Sequence, residues 1–287
     1  MYADLCNFLL VVREGTFTAA AKRAHLTQPA LSASIQRLEA ELGGTLFIRD
    51  RKGAVLTDAG AALLSHARAA RAAVEEGRTA VAEVLGLGRG EVSVGAGATA
   101  CTYLLPRVLA DFQHDHPTVR YRLRELGTPH VEEALLAGEL DLGIVTRLEG
   151  DGPVSTGLEE EPWRDDPLVL VQSTDEQRTR PPFLTFTAGS PLRTLLERHF
   201  PEAEVVMELG SIPAIKGNVA AGMGIALVPR SAVEVSLAEG RLVERPDPRT
   251  PLHRTLVLVH RGQDRLSVAA SALRQRILGG ACDSLGR

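Results

Sequence analysis

The sequence predicts an α/β protein with an all-α domain at its N-terminus, on three observations. Residues 1–60 read as three helices followed by a short basic hairpin. Residues 58–86 form one Ala-rich helical run. After "LGRGE" the texture switches to strands alternating with helices, which implies α/β sheets with helices on their faces.

In the first helix, "LCNFLLVV" supplies Leu5, Phe8, Leu9 and Val12 to a small core. The second helix runs through Ala19, Ala20, Ala21, Lys22 and Arg23, all good helix formers, with Thr18 as its N-cap and an end near His25. Thr27 caps the third helix, and Pro29 sits in the first turn, where a missing N–H costs nothing. Leu31, Ile35, Leu38 and Leu42 fall on one stripe there, and Phe17, Ala21 and Leu26 help to close the core. The opposite face carries Pro29, Ala33, Gln36, Arg37 and Ala40, flanked by Gln28 and Ser32. It has no large apolar group, and its first two turns have no carboxylate. A face made only for solubility mixes both charge signs, so this one suits a close-packed, negative partner. "LFIRDRKGAVLT" then reads as two strands turning at Lys52 and Gly53. Its tip carries Arg49, Arg51 and Lys52, three cations in four residues, suited to phosphates or a minor groove.

Helix, turn, helix and basic hairpin in that order describe a winged helix-turn-helix. The helix opening at Gln28 would lie in a major groove of double-stranded DNA. Gln28 and Gln36 can pair with adenine edges, and Ser32 or Ser34 can bond to bases or phosphates. Small Ala30 and Ala33 let the helix sit deep.

The run 58–86, capped by Thr57, has Leu63, Ala67, Ala70, Val74, Gly77, Val81 and Val84 at four-three spacing. All are apolar or small, so two such helices can approach closely, and the stripe predicts a homodimer seam. Beyond it, strands are expected at "EVSVGA", "VRYRLREL", "LDLGIVT", "PLVLVQS", "AEVVMEL", "GIALVP" and "TLVLVH". Helices are expected at "TYLLPRVLADFQHDH", "VEEALLAG" and "AIKGNVAAG".

Composition bounds the function classes. With 287 residues, 24% charged and 44% hydrophobic, the chain is an ordinary globular protein of more than one domain. A net charge of −4 gives no global argument for nucleic acid, so any basic site is local. Cys6, Cys101 and Cys282 make neither a disulfide framework nor a zinc site. The start of the chain does not read as a signal peptide, and no apolar run reaches the ~18 residues a membrane span needs. These features predict a cytoplasmic protein with no metal and no cofactor.

The N-terminal sixty residues resemble the DNA-binding domain of LysR-type transcriptional regulators, through "GTFTAAAKRAHLTQPALSASIQRLEAELGGTLFIRD" and "LTDAGAALL". The resemblance continues in "YLLPRVLADFQHDHP", "LLAGELDLGIV" and "VAAGMGIALVP" and so covers nearly the whole chain. Members often carry Arg or Lys where this sequence has Ala33. The DNA contacts expected here are therefore Thr27, Gln28, Pro29, Ser32, Gln36 and Arg37, with Arg49 and Arg51 from the wing. The resemblance implies a regulator and not an enzyme, in which the linker helix pairs protomers and dimers associate into tetramers. It implies a C-terminal fold of two subdomains like periplasmic solute-binding proteins, with a small-molecule effector in the cleft between them. The division expected is 1–60 for DNA binding, 61–88 for the linker and 89–287 for the effector. Within the last, subdomain I takes about 89–162 and 252–280, and subdomain II about 163–251.

The loop "VGAGATA" also matches the dinucleotide pattern G-x-G-x-x-A through Gly95, Gly97 and Ala100, with Glu125 ending the next strand. A nicotinamide-dependent enzyme with an appended helical domain is therefore the alternative. The gap to Glu125 is longer than the ~20 residues that pattern expects, and Pro106 interrupts the following helix. In the resembling family the same loop faces the effector cleft. Helix N-terminal N–H groups at Thr99, Ala100, Cys101 and Thr102, with the two threonine hydroxyls, would hold a carboxylate or other small anion. Thr128 matches a position lining the family's cleft, and "TFTAGS" offers Thr187 and Ser190 from the second subdomain. A helix N-terminus could lower the Cys101 pKa and make the thiol a redox sensor. His114 and His116 read as a solvated pair in a last helical turn, and Glu132, Glu133 and the run 159–161 as solvated surface. No nucleophile–base constellation, HExxH or P-loop is present.

Overall fold

The computed structural model describes residues 1–50, 53–84, 90–148 and 150–279. Arg51, Lys52, Cys282 and the stretch 85–89 lie outside the described residues, as do the side chains of Arg49 and Val84.

Helices α1 (Tyr2–Glu14), α2 (Phe17–Arg23) and α3 (Gln28–Leu42) enclose the first core. Phe47 opens β1 (Phe47–Asp50), which pairs antiparallel with β2 (Gly53–Leu56). The Phe47 ring lies 5.2 Å from that of Phe8 and 5.6 Å from that of Phe17, so the hairpin is bonded to the helices by aromatic packing. Thr27 caps α3 as expected, accepting from the Ala30 N–H at 3.3 Å. The α2 cap differs. Thr16, not Thr18, accepts from Ala19 at 3.2 Å, because left-handed Gly15 ends α1 and feeds the chain directly into the next helix.

Leu31, Ile35 and Leu38 are buried, but Leu42 is 49% and Leu26 41% exposed. Leu26 lies on the turn after left-handed His25, and Leu42 is the last residue before the Gly43 cap; both fall beyond the ends of the core. Ser34 also departs from expectation. It is buried, donates to Asp4 Oδ1 at 2.6 Å and accepts from Asn7 at 2.8 Å, which ties α3 to α1 and removes it from any DNA contact.

Helix α4 (Asp58–Val84) starts with Thr57 accepting from Gly60 N–H at 3.0 Å. Gly60 is required there, since a Cβ would sit 2.2 Å from the Leu46 carbonyl oxygen. The expected seam is split. Ala67 is fully buried in the N-terminal core with Leu63 and Leu64 beside it, while Ala70, Val74, Gly77 and Val81 are exposed. Another face of α4 lies on the C-terminal part of the chain. Arg68 pairs with Glu133 at 2.5 Å, Arg71 with Glu139 at 3.6 Å, and Glu76 with Arg261. Ala72 is buried beneath Gly138, where an added Cβ would fall 2.1 Å from the Ala72 Cβ.

The C-terminal part opens with β3 (Glu91–Ala96), a π-helical turn at Ala100–Leu104 and α5 (Leu105–Asp115). β4 (Arg120–Glu125), α6 (Thr128–Leu136), β5 (Leu142–Leu148) and β6 (Glu159–Asp165) follow. Next come β7 (Leu168–Ser173), β8 (Phe183–Phe186), α7 (Pro191–His199) and β9 (Val205–Leu209). The chain continues through α8 (Ile212–Ala220), β10 (Ala226–Pro229), α9 (Arg230–Ala238) and β11 (Leu242–Glu244). It returns as β12 (Arg254–His260) and closes with α10 (Val268–Gly279).

One five-stranded sheet has the order β4-β3-β5-β12-β6, parallel from β4 to β5 and antiparallel at β12 and β6. The second group pairs β10-β7-β11 and β8-β9, joined through the bridge from Phe183 to Ile225. Because β6 runs to Asp165, the chain crosses between the groups at residues 166–167, slightly later than expected. The acidic run 159–161 starts edge strand β6: Glu159 and Glu160 are exposed as expected, while half-buried Glu161 takes the Arg274 guanidinium at 2.6 Å. Its Pro162 and charges hid the strand from a hydrophobic-alternation reading. Among the described residues, no helix is long and apolar enough to cross a membrane.

Candidate functional site

The first site is the outer face of α3. Thr27, Gln28, Pro29, Ala33, Gln36, Arg37 and Ala40 are all exposed, and Ser32 is half-buried. The helix stands on its buried stripe, so this face is held rigid from behind. Asp4 reinforces it by accepting from Arg37 at 2.6 Å as well as from Ser34. Those bonds, that of Ser34 first, hold the Asp4 carboxyl below the usual carboxylate range. The hairpin is fixed to the same domain by Ala54 N–H donating to the Gly15 carbonyl at 2.8 Å. Gly53, at φ 137°, passes so close to that carbonyl that a Cβ would lie 2.5 Å from it.

The second site is a cavity of about 690 Å³ between the two strand groups. Four helix N-termini reach its wall: the turn at Ala98 and Thr99, and the starts of α6, α7 and α8 at Thr128, Pro191 and Ile212. Each end presents backbone N–H groups lacking helical partners, together with the positive end of a helix dipole. Ser211 spends its hydroxyl on capping α8 at 3.4 Å, whereas Ser190 makes no such bond to α7.

Of the residues predicted for this site, Thr99, Ala100, Thr102, Thr128 and Ser190 line the cavity. Thr99 is buried and accepts from Arg254 Nη2 at 3.4 Å, and Thr128 accepts from the Thr146 N–H at 3.4 Å. Cys101 and Thr187 are off the wall. The Cys101 thiol turns back to the Ala96 carbonyl at 3.3 Å, and burial, reinforced by Glu125, pushes its pKa up to about 11. That is the opposite of the lowered value expected at a helix N-terminus, and it disfavours the thiolate a redox sensor needs near neutral pH. Thr187 lies exposed in the turn before α7.

Sequence reasoning missed the charged floor. Arg254, whose side chain is only 5% exposed, pairs with Asp166 and donates from Nε to the Asp166 carbonyl at 2.7 Å. Asp166 Oδ1 also accepts from the Ser231 N–H at 3.0 Å, so the first crossing, the return strand and α9 meet at one ion pair. Arg147, also on the wall, is held by Glu132 and Glu160, each at 3.1 Å. Lys216 on α8 reaches over the Tyr103 ring at 5.2 Å and donates to the Ala232 carbonyl at 2.5 Å. Burial lowers its pKa. A single arginine opening the apolar run "RTLVLVH" was the available signal for Arg254, since a cation there needs a buried partner.

Comparison with known proteins completes the picture. Residues 2–61 match the model of the bacterial regulatory helix-turn-helix protein, lysR family, and residues 85–281 match the LysR substrate binding domain. A probable RuBisCO transcriptional regulator of Nostoc sp. is 32% identical, over 92% of this chain and 84% of its own. The RuBisCO operon transcriptional regulator of Allochromatium vinosum is 30% identical, over 94% and 93%. The crystal structure of ArgP from Mycobacterium tuberculosis superposes with a TM-score of 0.72 at 22% identity, covering 97% of this chain and 96% of that one.

Proposed function

The chain belongs to the LysR family of bacterial transcriptional regulators, and from that premise we propose how its residues divide the work. Helix α3 enters the major groove of operator DNA with Thr27, Gln28, Pro29, Ser32, Gln36 and Arg37, while Arg49 and Arg51 hold phosphates. A small molecule in the cavity, touching Thr99, Ala100, Thr102, Thr128 and Ser190, modulates that binding. The four helix N-termini favour an anionic group on it. The functional division follows 1–60, 61–88 and 89–287. The exposed small residues Ala70, Val74, Gly77 and Val81 join α4 to a second copy in a homodimer or homotetramer. Family membership favours this regulator over the nicotinamide-dependent enzyme. The loop glycine Gly95 has a packing reason of its own, since a Cβ there would meet Leu140 at 2.3 Å.

The observation that carries the reading is the exposed α3 face, free of carboxylates over its first two turns and braced from behind by Asp4. Gln28→Ala tests it in mobility shifts on operator and random DNA. Discrimination should fall by about 1–3 kcal/mol at one or two operator positions, the worth of a bidentate base contact. Equal weakening on both DNAs would make Gln28 a positioning residue instead.

A further inference from the structure

We infer that the cavity takes a singly charged carboxylate with an apolar body, such as an aryl or branched-chain monocarboxylate, and excludes phosphorylated or multiply carboxylated compounds. The inference rests on the reading of the cavity as the effector site. It follows from where the wall's charges are already spent. The cations among the described lining residues are Arg147 and Arg254. Arg254 is buried against Asp166, and Arg147 is shared between Glu132 and Glu160. Lys216, which does not line the cavity, lies over the Tyr103 ring and donates to the Ala232 carbonyl. Two further carboxylates, Glu125 and Asp151, line the cavity and make no ion pair with the described residues. Carboxylates therefore outnumber cations on and directly behind the wall.

A second negative charge on a ligand would lose its hydration and meet no unpaired cation among the described lining residues, which is a large cost. One carboxylate is served without a cation. The turn at Ala98 and Thr99 offers backbone N–H groups, and Thr99 uses its hydroxyl oxygen as acceptor for Arg254, leaving its proton for a ligand oxygen. The remaining wall is carbon. Tyr103, Ile144 and Leu256 come from the first sheet side, and Phe186, Leu195 and Ile212 from the second. Apolar contact from both sides rewards a hydrophobic body that fills the gap between them.

The test uses the full-length protein in thermal-shift and calorimetric titrations. Phenylacetate and 4-methyl-2-oxopentanoate are the probes, against citrate, fructose 1,6-bisphosphate and phenethylamine. A ligand of the native state raises Tm, so at least one monocarboxylate should do so while citrate, the bisphosphate and the amine do not. Glu160→Gln frees one side of Arg147, so citrate, silent on the wild type, should gain about tenfold in affinity, the scale of one charge-assisted hydrogen bond, and raise the Tm of this variant. Failure of both monocarboxylates to bind, tighter binding of citrate, the bisphosphate or the amine, or no rise in Tm with citrate in Glu160→Gln would each overturn the inference. Thr99→Val separates the two readings. If a polyanion binds and Thr99→Val abolishes it, the ligand class is wrong but the cavity remains the effector site. If a monocarboxylate binds equally well to Thr99→Val, it sits elsewhere and both readings fall.

Discussion

At Asp4 one carboxylate braces α3, accepting from Ser34 and Arg37. Because its folded pKa is depressed, its contribution is present above the ordinary value near 3.8 and is lost as pH falls through the lower folded value. Asp4→Asn should therefore melt below wild type at neutral pH, with the difference narrowing as both are taken below that range. A constant gap across the acid titration would show that the carboxylate charge contributes nothing. Thr99 has a comparable position at the cavity floor. Thr99→Val removes the acceptor of a buried Arg254 N–H, a loss of about 1–3 kcal/mol that thermal melts would detect. Effector affinity by calorimetry should fall with it, while operator affinity without effector should hold, since Thr99 lies in the C-terminal part.

At the scale of the element, the proposed reading gives base contacts to α3 and phosphate contacts to the wing. If Arg49 and Arg51 hold phosphates as proposed, Arg49→Ala with Arg51→Ala should weaken all DNA alike and reduce the salt slope by about two units. A slope equal to wild type in salt-dependent mobility shifts would take the hairpin off the DNA. Helix α3 was legible as an element because its cap, its first-turn proline and its apolar stripe are all local features. Edge strand β6 was not, because its order comes from pairing with β12, a partner from far along the chain.

Across the whole molecule, α6 joins the cavity to α4. Its N-terminus, at Thr128 and Pro129, lines the cavity, and Glu133 near its other end grips Arg68 of α4. With Glu139 holding Arg71 and Gly138 seated on Ala72, movement at the cavity has a contiguous route to the linker helix. An exposed pair contributes only about 0.2–1 kcal/mol, so its loss should alter coupling more than folding. Arg68→Glu should shrink the effector's influence on operator affinity, and adding Glu133→Arg should restore it. Mobility shifts with and without effector measure both, and a double variant no better than the single one would rule out this pair as the link.

Local pattern settled most of the helices, the caps at Thr27 and Thr57, and the alternation of strands and helices. These rest on neighbours a few residues apart, where periodicity and capping chemistry act directly. Only the tertiary structure decided which groups those elements left free. Arg254 stands 88 residues from Asp166 and 155 from Thr99, and no spacing rule connects them. The same distance effect put Ser34 in the core and spent Ala67 inside its own domain. A side chain's surroundings are set by whatever segment packs on it, and desolvation and charge pairing follow from that packing.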